Sequence, residues 1–169
     1  MRRDKINYYL DIAEVVSKRC TCLRRHYGAI IVKADEVIAT GYVGAPRGRK
    51  NCTDMQICLR EERNIASGER YELCRSIHAE ANAMLSASRK DMIDSTMYMT
   101  CINPKTGEYI QDSNSCPMCK RLAINAGIKE LVVRDTKDDY RVIQVQDWVD
   151  NDDSLEDVFG YVKDIESGN

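Results

Sequence analysis

The chain predicts an α/β domain. Helix-spaced and strand-spaced apolar segments alternate along it, and 169 residues with 43% hydrophobic content suffice for one domain with a buried core. There is no internal repeat, no low-complexity segment and no long apolar run. The basic start Met1-Arg2-Arg3-Asp4-Lys5 leads into Ile6-Asn7-Tyr8 and forms no signal-peptide hydrophobic region, so the expected compartment is the cytoplasm, with no membrane partner.

The elements follow in order. From Lys5 to Arg19, Ile6, Tyr9, Leu10, Ala13, Val15 and Val16 share one broad stripe, which predicts a helix. Gly28 to Lys33 and Glu36 to Gly41 read as two strands about Ala34-Asp35, a hairpin. Tyr42 to Arg75 predicts a long loop with a short helix near Leu59 to Ile65, and a loop of that length is functional or metal-stapled. A helix from His78 to about Ala87 and a strand over Thr96 to Cys101 come next. Between Cys101 and Asn114, Pro104-Lys105-Thr106-Gly107-Glu108 marks a turn between extended arms, read as a surface hairpin, an oligomer contact or a substrate lid. The spacing then predicts a helix over Pro117 to Ala126 stopped by Gly127, and strands over Glu130 to Val133 and Tyr140 to Val145. The domain is expected to span residues 1–146, with residues 147–169 an acidic helical tail, packed or frayed, anchored by Trp148.

Charge narrows the partners. The formal net charge of −2 hides eight acids against Lys163 in residues 147–169, which leaves residues 1–146 with a balance of +5. A modestly positive body suits a small anionic ligand, whereas a pI near 5.8 and 7% aromatic content argue against a dedicated nucleic-acid surface.

Two motifs carry the chemistry: His78-Ala79-Glu80 and Cys116-Pro117-Met118-Cys119. Ser76 to Leu85 is rich in helix formers, which puts His78 and Glu80 in a first turn about 200° apart, so Glu80 need not share a ligand role with His78. Pro117 suits the first helical position, with Cys116 at the cap and Cys119 one turn on, facing the same way. One histidine and two thiolates make three zinc ligands, and a zinc with three protein ligands keeps a position open for water, unlike a closed structural site. A redox Cys-x-x-Cys beside an unrelated core histidine leaves Glu80 without a job. Eight cysteines in a reducing compartment are better explained by metal than by disulfides.

This combination resembles the cytidine and deoxycytidylate deaminase superfamily, and more of the chain is similar to its deoxycytidylate branch: Gly41-Tyr42-Val43-Gly44-Ala45-Pro46-Arg47-Gly48, Ser67 to Arg75, and Ile124 to Lys129. The resemblance, from about Lys5 to Arg134, implies a three-layer α/β/α fold with a five-stranded mixed sheet. It implies catalytic zinc on His78, Cys116 and Cys119, with Glu80 as proton shuttle. It also implies hydrolysis of dCMP to dUMP, the precursor for thymidylate synthesis, in a homo-oligomer that is often a hexamer and often regulated by dCTP and dTTP with Mg2+. The Ala79 amide is expected at the ring carbonyl and the Asn114 carbonyl at the leaving amine. Ser115 stands where the family usually has proline, and Val43, beside Tyr42, where it usually has an asparagine that helps hold the sugar; the resemblance places Ser115, Tyr42 and Val43 at the substrate.

Some members carry a structural zinc that Cys22, Cys52, Cys58 and Cys74 would hold as a closed second site, with Cys20 the substitute for Cys22; otherwise these are buried thiols, as expected for Cys20 and Cys101. Arg24, Arg25, Arg47, Arg49 and Arg89 are candidate phosphate partners, Arg47 and Arg89 foremost. His26 reads as a surface or interface residue. Other readings are deamination of another cytosine compound or of an RNA base, and a catalytically silent zinc-bound nucleotide sensor.

Overall fold

The computed structural model describes residues 2–151. Helix α1 (Lys5–Ser17) begins at Asp4, whose carboxylate accepts the Asn7 N–H at 2.9 Å as an N-cap should. It lays Tyr9, Leu10 and Ala13 on the sheet, while Val15, predicted to share that stripe, is 64% exposed because the stripe is narrower than the period allows. Strands β1 (His26–Lys33) and β2 (Glu36–Tyr42) form the predicted hairpin. Its turn takes positive φ at both Ala34 (49°) and Asp35 (70°), as a two-residue hairpin requires, and Asp35 is fixed by the Tyr9 hydroxyl at 2.8 Å.

The long stretch after β2 is more structured than a loop. It holds α2 (Cys52–Met55), α3 (Leu59–Glu62) and a 3₁₀ turn at Tyr71–Leu73. Then come α4 (Ala79–Met84), α5 (Arg89–Met92), which the sequence reading missed, β3 (Thr96–Ile102), α6 (Pro117–Ala126), β4 (Glu130–Arg134), β5 (Tyr140–Gln144) and α7 (Val145–Asp150). Gly127 ends α6 in the left-handed region at φ 82°, as predicted. Val145, which the spacing places in the last strand, instead starts α7, which straddles the expected domain boundary at 146; Trp148 packs against the core. The rest of the predicted acidic tail, from residue 152, lies outside the described residues.

The five strands run in the order β2-β1-β3-β4-β5, with β3 and β4 parallel and the other neighbours antiparallel: a mixed sheet. Strand periodicity sends Ile30 and Val32 to the α1 face and Ala29 and Ile31 to the opposite face, where α4, α6 and α7 pack. That is the expected three-layer arrangement. Two glycines set its closeness. A Cβ at Gly28 would meet the Ala13 carbonyl at 2.1 Å, and one at Gly41 would meet the Ala79 carbonyl at 2.2 Å, so α1 and α4 lie directly on strand backbone. No helix among the described residues is long and apolar enough to cross a membrane.

The connection from β3 to α6 is a hairpin, as its turn sequence predicts: Asn103 N–H bonds Glu108 O at 2.9 Å and Gly107 N–H bonds Asn103 O at 2.8 Å. The Tyr109 hydroxyl donates to Glu14 of α1 at 2.6 Å, and the fully buried Arg134 ties Glu14 (3.0 Å) and Asp11 (2.8 Å) to the same place.

Candidate active site

The site is built where two helices start. His78 and Cys116 are both N-caps with extended backbone (φ −69°, ψ 154° and φ −69°, ψ 162°), and their carbonyls accept Asn82 N–H and Lys120 N–H at 3.0 and 2.9 Å. His78 is thus at the cap of α4 and not in its first turn as expected, because the chain leaves Ile77 extended, bridged to Gly44. The β3–α6–β4 crossover brings α6 to the face that carries α4. The two caps then meet. Cys116 Sγ lies 3.3 Å and Cys119 Sγ 3.5 Å from His78 Nδ1, and all three ligand atoms lie within 4.8 Å of one another. Among the described residues no other group of three or more His, Cys, Asp or Glu is so gathered.

These distances fit zinc, since Zn–N near 2.0–2.1 Å and Zn–S near 2.3 Å in a tetrahedron place N and S about 3.5 Å apart. Charge fits as well. Hydrogen bonding to Cys119, and then to His78, holds the Cys116 thiol far below the usual range, while Cys119, hydrogen-bonded to Cys116 and buried, is pushed up; the pair shares one proton, which zinc would displace. The bond to Cys116, then the nearby Glu80, raises the His78 pKa against its burial.

Glu80 lies outside the ligand group and is 4% exposed. Burial raises its pKa, the tendency a group needs if it is to carry a proton near neutrality. Its carboxylate Oε1 accepts the Ser115 hydroxyl at 3.0 Å. A cleft of about 140 Å³ opens beside it, lined by His78, Glu80, Cys116, Asn114, Val43 and Tyr27 together with Arg24, Arg25, Arg60, Tyr71 and Arg75. Of residues 102–114 only Asn114 lines this cleft.

The predicted positions divide. Val43 is buried on the cleft wall, where its N–H bonds the Tyr27 carbonyl at 3.1 Å. Asn114 reaches the cleft, and its side-chain oxygen accepts the Ser115 N–H at 2.8 Å. Ala79 and Ser115, expected at the substrate, are buried and do not line the cleft; Ala79, at the first helical position, has one of the amide N–H groups that a helix leaves without an intrahelical acceptor. Tyr42 and Arg47 do not line the cleft; they line a separate groove along β2 and the outer side of α4, and the Tyr42 carbonyl accepts from Asn82 at 2.8 Å. Arg89 is also removed from it, because α4 carries the chain away from the site and Arg89 Nε bonds the Asn125 carbonyl at 2.8 Å. The cleft instead gathers Arg24 and Arg25, with Arg60 and Arg75 not foreseen.

Arg60 is the hub of the long loop. It is 6% exposed, stacks on the Tyr71 ring at 4.5 Å and donates to the Ala66 and Glu69 carbonyls. Tyr71 in turn meets the His78 ring edge-on at 5.0 Å. Nothing in the residue type or spacing of Arg60 signals that it is buried. Cys22, Cys52, Cys58 and Cys74 all line the cleft, yet no three of their sulfurs come within 4.8 Å of one another. Cys20 donates to the Tyr27 carbonyl at 2.9 Å and does not line the cleft; burial pushes its thiol and that of Cys101 up to about 12. His26 is half-buried, its Nε2 3.1 Å from the Cys22 carbonyl.

The family model for the cytidine and deoxycytidylate deaminase zinc-binding region matches residues 3–135. The chain belongs to that family. Within it, the chain is 33% identical over 136 residues to the deoxycytidylate deaminase of Mycobacterium phage D29, covering 78% of this chain and 94% of the relative. It is 32% identical over 126 residues to the deoxycytidylate deaminase of Schizosaccharomyces pombe, covering 75% of this chain but 35% of that longer protein. A dCMP deaminase structure from the cyanophage S-TIM5 aligns with a TM-score of 0.56 at 25% identity over 82% of this chain and 88% of the other. The cytidine deaminase of Burkholderia pseudomallei shares the fold, with a TM-score of 0.54 at 16% identity over 85% of this chain and 95% of the other.

Proposed function

We propose that this chain is a zinc-dependent hydrolase that converts dCMP and water to dUMP and ammonia. The observation that carries the reading is the pairing of three converging ligands, His78, Cys116 and Cys119, with a buried carboxyl, Glu80, that stands beside them and outside their group. Deoxycytidylate deaminases in the family, and the S-TIM5 enzyme whose structure was determined with dCMP and dUMP, support the choice of substrate.

Zinc held by the three ligands would supply the Lewis acidity that makes a water acidic near neutral pH. Glu80 takes the proton released from that water and delivers it to pyrimidine N3, which makes C4 electrophilic. Oxygen adds at C4. Glu80 then carries a second proton to the exocyclic amine, the C4–N bond breaks, and ammonia departs. Burial of Glu80 serves both transfers, because a carboxyl with raised pKa holds its proton long enough to donate it. The Ala79 N–H, at the first position of α4, is the donor for the ring carbonyl O2, and the Asn114 carbonyl, on the cleft wall, accepts from the amine.

Arg24, Arg25 and Arg75 supply the positive charge for the 5′-phosphate in place of Arg47 and Arg89. Ammonia release from dCMP, CMP and deoxycytidine tests the assignment. A monophosphate should exceed the nucleoside in kcat/KM by at least tenfold, about 1.4 kcal/mol, and equal use of the two would refute it. Arg25→Ala and Arg75→Ala should reduce that preference, whereas Arg47→Ala and Arg89→Ala should leave it. Val43 places an apolar wall where a sugar-binding amide would sit, and Val43→Asn should raise kcat/KM for dCMP.

The second, structural zinc also belongs to this proposal. Its four thiols share one cleft, and a tetrahedral metal would draw them together and order the loop that Arg60 already organises.

A further inference from the structure

We infer that Ser115 is a positioning residue for Glu80, the donor that fixes the carboxylate in the orientation proton transfer needs. The inference rests on the reading of Glu80 as the proton carrier. The Ser115 hydroxyl lies 3.0 Å from Glu80 Oε1, and both side chains are buried, at 6% and 4% exposure. It is the one side chain among the described residues that hydrogen-bonds this carboxylate. Ser115 is itself held, since it directly precedes the Cys116 cap of α6 and its N–H is tied to the Asn114 side chain at 2.8 Å.

A glutamate side chain has three rotatable bonds, and burial alone does not choose among their rotamers. One anchored oxygen does: Ser115 engages Oε1, which leaves Oε2 to exchange protons with water, N3 and the amine. A hydroxyl suits the task because it is a donor. It donates to Oε1 of the ionised carboxylate and, when the proton sits on Oε2, to the same Oε1 of the acid, so the anchor persists through both halves of the cycle. A proline at position 115 would offer no donor, and an alanine would leave the buried oxygen without its partner.

The test compares Ser115→Ala and Ser115→Thr, each alone and in the Glu80→Gln background. Ser115→Ala should lower kcat for dCMP tenfold or more, with KM within twofold of wild type and catalytic zinc content unchanged. Ser115→Thr, which keeps the hydroxyl, should recover most of the loss. In the Glu80→Gln background Ser115→Ala should add no further loss, because the interaction partner is already altered. A crystal structure of zinc-loaded Ser115→Ala gives a readout independent of turnover: the Glu80 carboxylate should occupy more than one rotamer. A single wild-type rotamer in that structure would overturn the inference, as would a kcat within twofold of wild type, an equal loss in Ser115→Thr, or a further loss in the Glu80→Gln background. If wild-type protein releases no ammonia from any cytosine nucleotide, it is the functional reading that fails, and the rotamer comparison still decides the positioning role.

Discussion

Gly41→Ala tests whether the metal site depends on how closely α4 lies on the sheet. A methyl group there would sit 2.2 Å from the Ala79 carbonyl and 2.3 Å from the Ala83 N–H, both backbone atoms of the site helix that cannot rotate away. To restore ordinary contact α4 must retreat by roughly 1 Å, since close-packed interiors do not absorb such an overlap. Overpacking of this kind costs about 3 kcal/mol. For a chain of this length that corresponds to a fall in Tm of about 6–12 °C. The retreat carries His78 away from Cys116, now 3.3 Å from its Nδ1, so zinc affinity should fall as well, by about 10- to 100-fold if it resembles loss of a ligand-orienting contact. Thermal melting and competitive zinc titration measure the two effects. Gly44→Ala is the control, because its added methyl would meet the Thr21 hydroxyl at 2.9 Å, a side-chain atom that can rotate, and should cost much less. Wild-type melting and wild-type zinc affinity in Gly41→Ala would refute the claim that this glycine sets the position of the ligand helix.

Glu80→Gln should keep its catalytic zinc and lose about 10²–10⁴-fold in kcat, whereas His78→Ala should lose the metal; elemental analysis beside ammonia release separates the two. If the structural zinc is present, protein purified without chelator carries close to two zinc ions per chain, and Cys52→Ser or Cys74→Ser lowers this to one; a wild-type content of one would remove that site. Acid should destabilise the fold through Asp11. Burial pushes its pKa up, but hydrogen bonds from Arg3 and Arg134 outweigh that and hold the net value below the usual carboxylate range. A depressed folded pKa gives stability that is present above the unfolded value, about 3.9, and is lost as pH falls through the folded value. Asp11→Asn should therefore flatten the stability profile below about pH 4, as followed by urea unfolding.

Local features were legible from neighbouring residues alone. Ala34-Asp35 turns the hairpin, Pro117 opens α6 and Gly127 closes it, because each depends on the backbone preferences of a few adjacent residues. The ligand set was legible for the same reason: histidine and cysteine are scarce side chains, and their spacing falls on helix starts. The tertiary structure decided which distant groups meet. The β3–α6–β4 crossover puts Ser115 against Glu80, 35 residues away in sequence, and it is this contact that gives the serine a role beyond a missing proline. The same packing buries Arg60 against Tyr71, whose ring meets His78, gathers Arg24, Arg25 and Arg75 at the cleft, and sends Arg47 and Arg89 elsewhere. An arginine's residue type states its charge and reach, but whether it faces a substrate depends on the direction in which its helix or loop leaves the site. That direction is fixed by strand order and by the close approach at Gly41, neither of which the spacing of residues along the chain records.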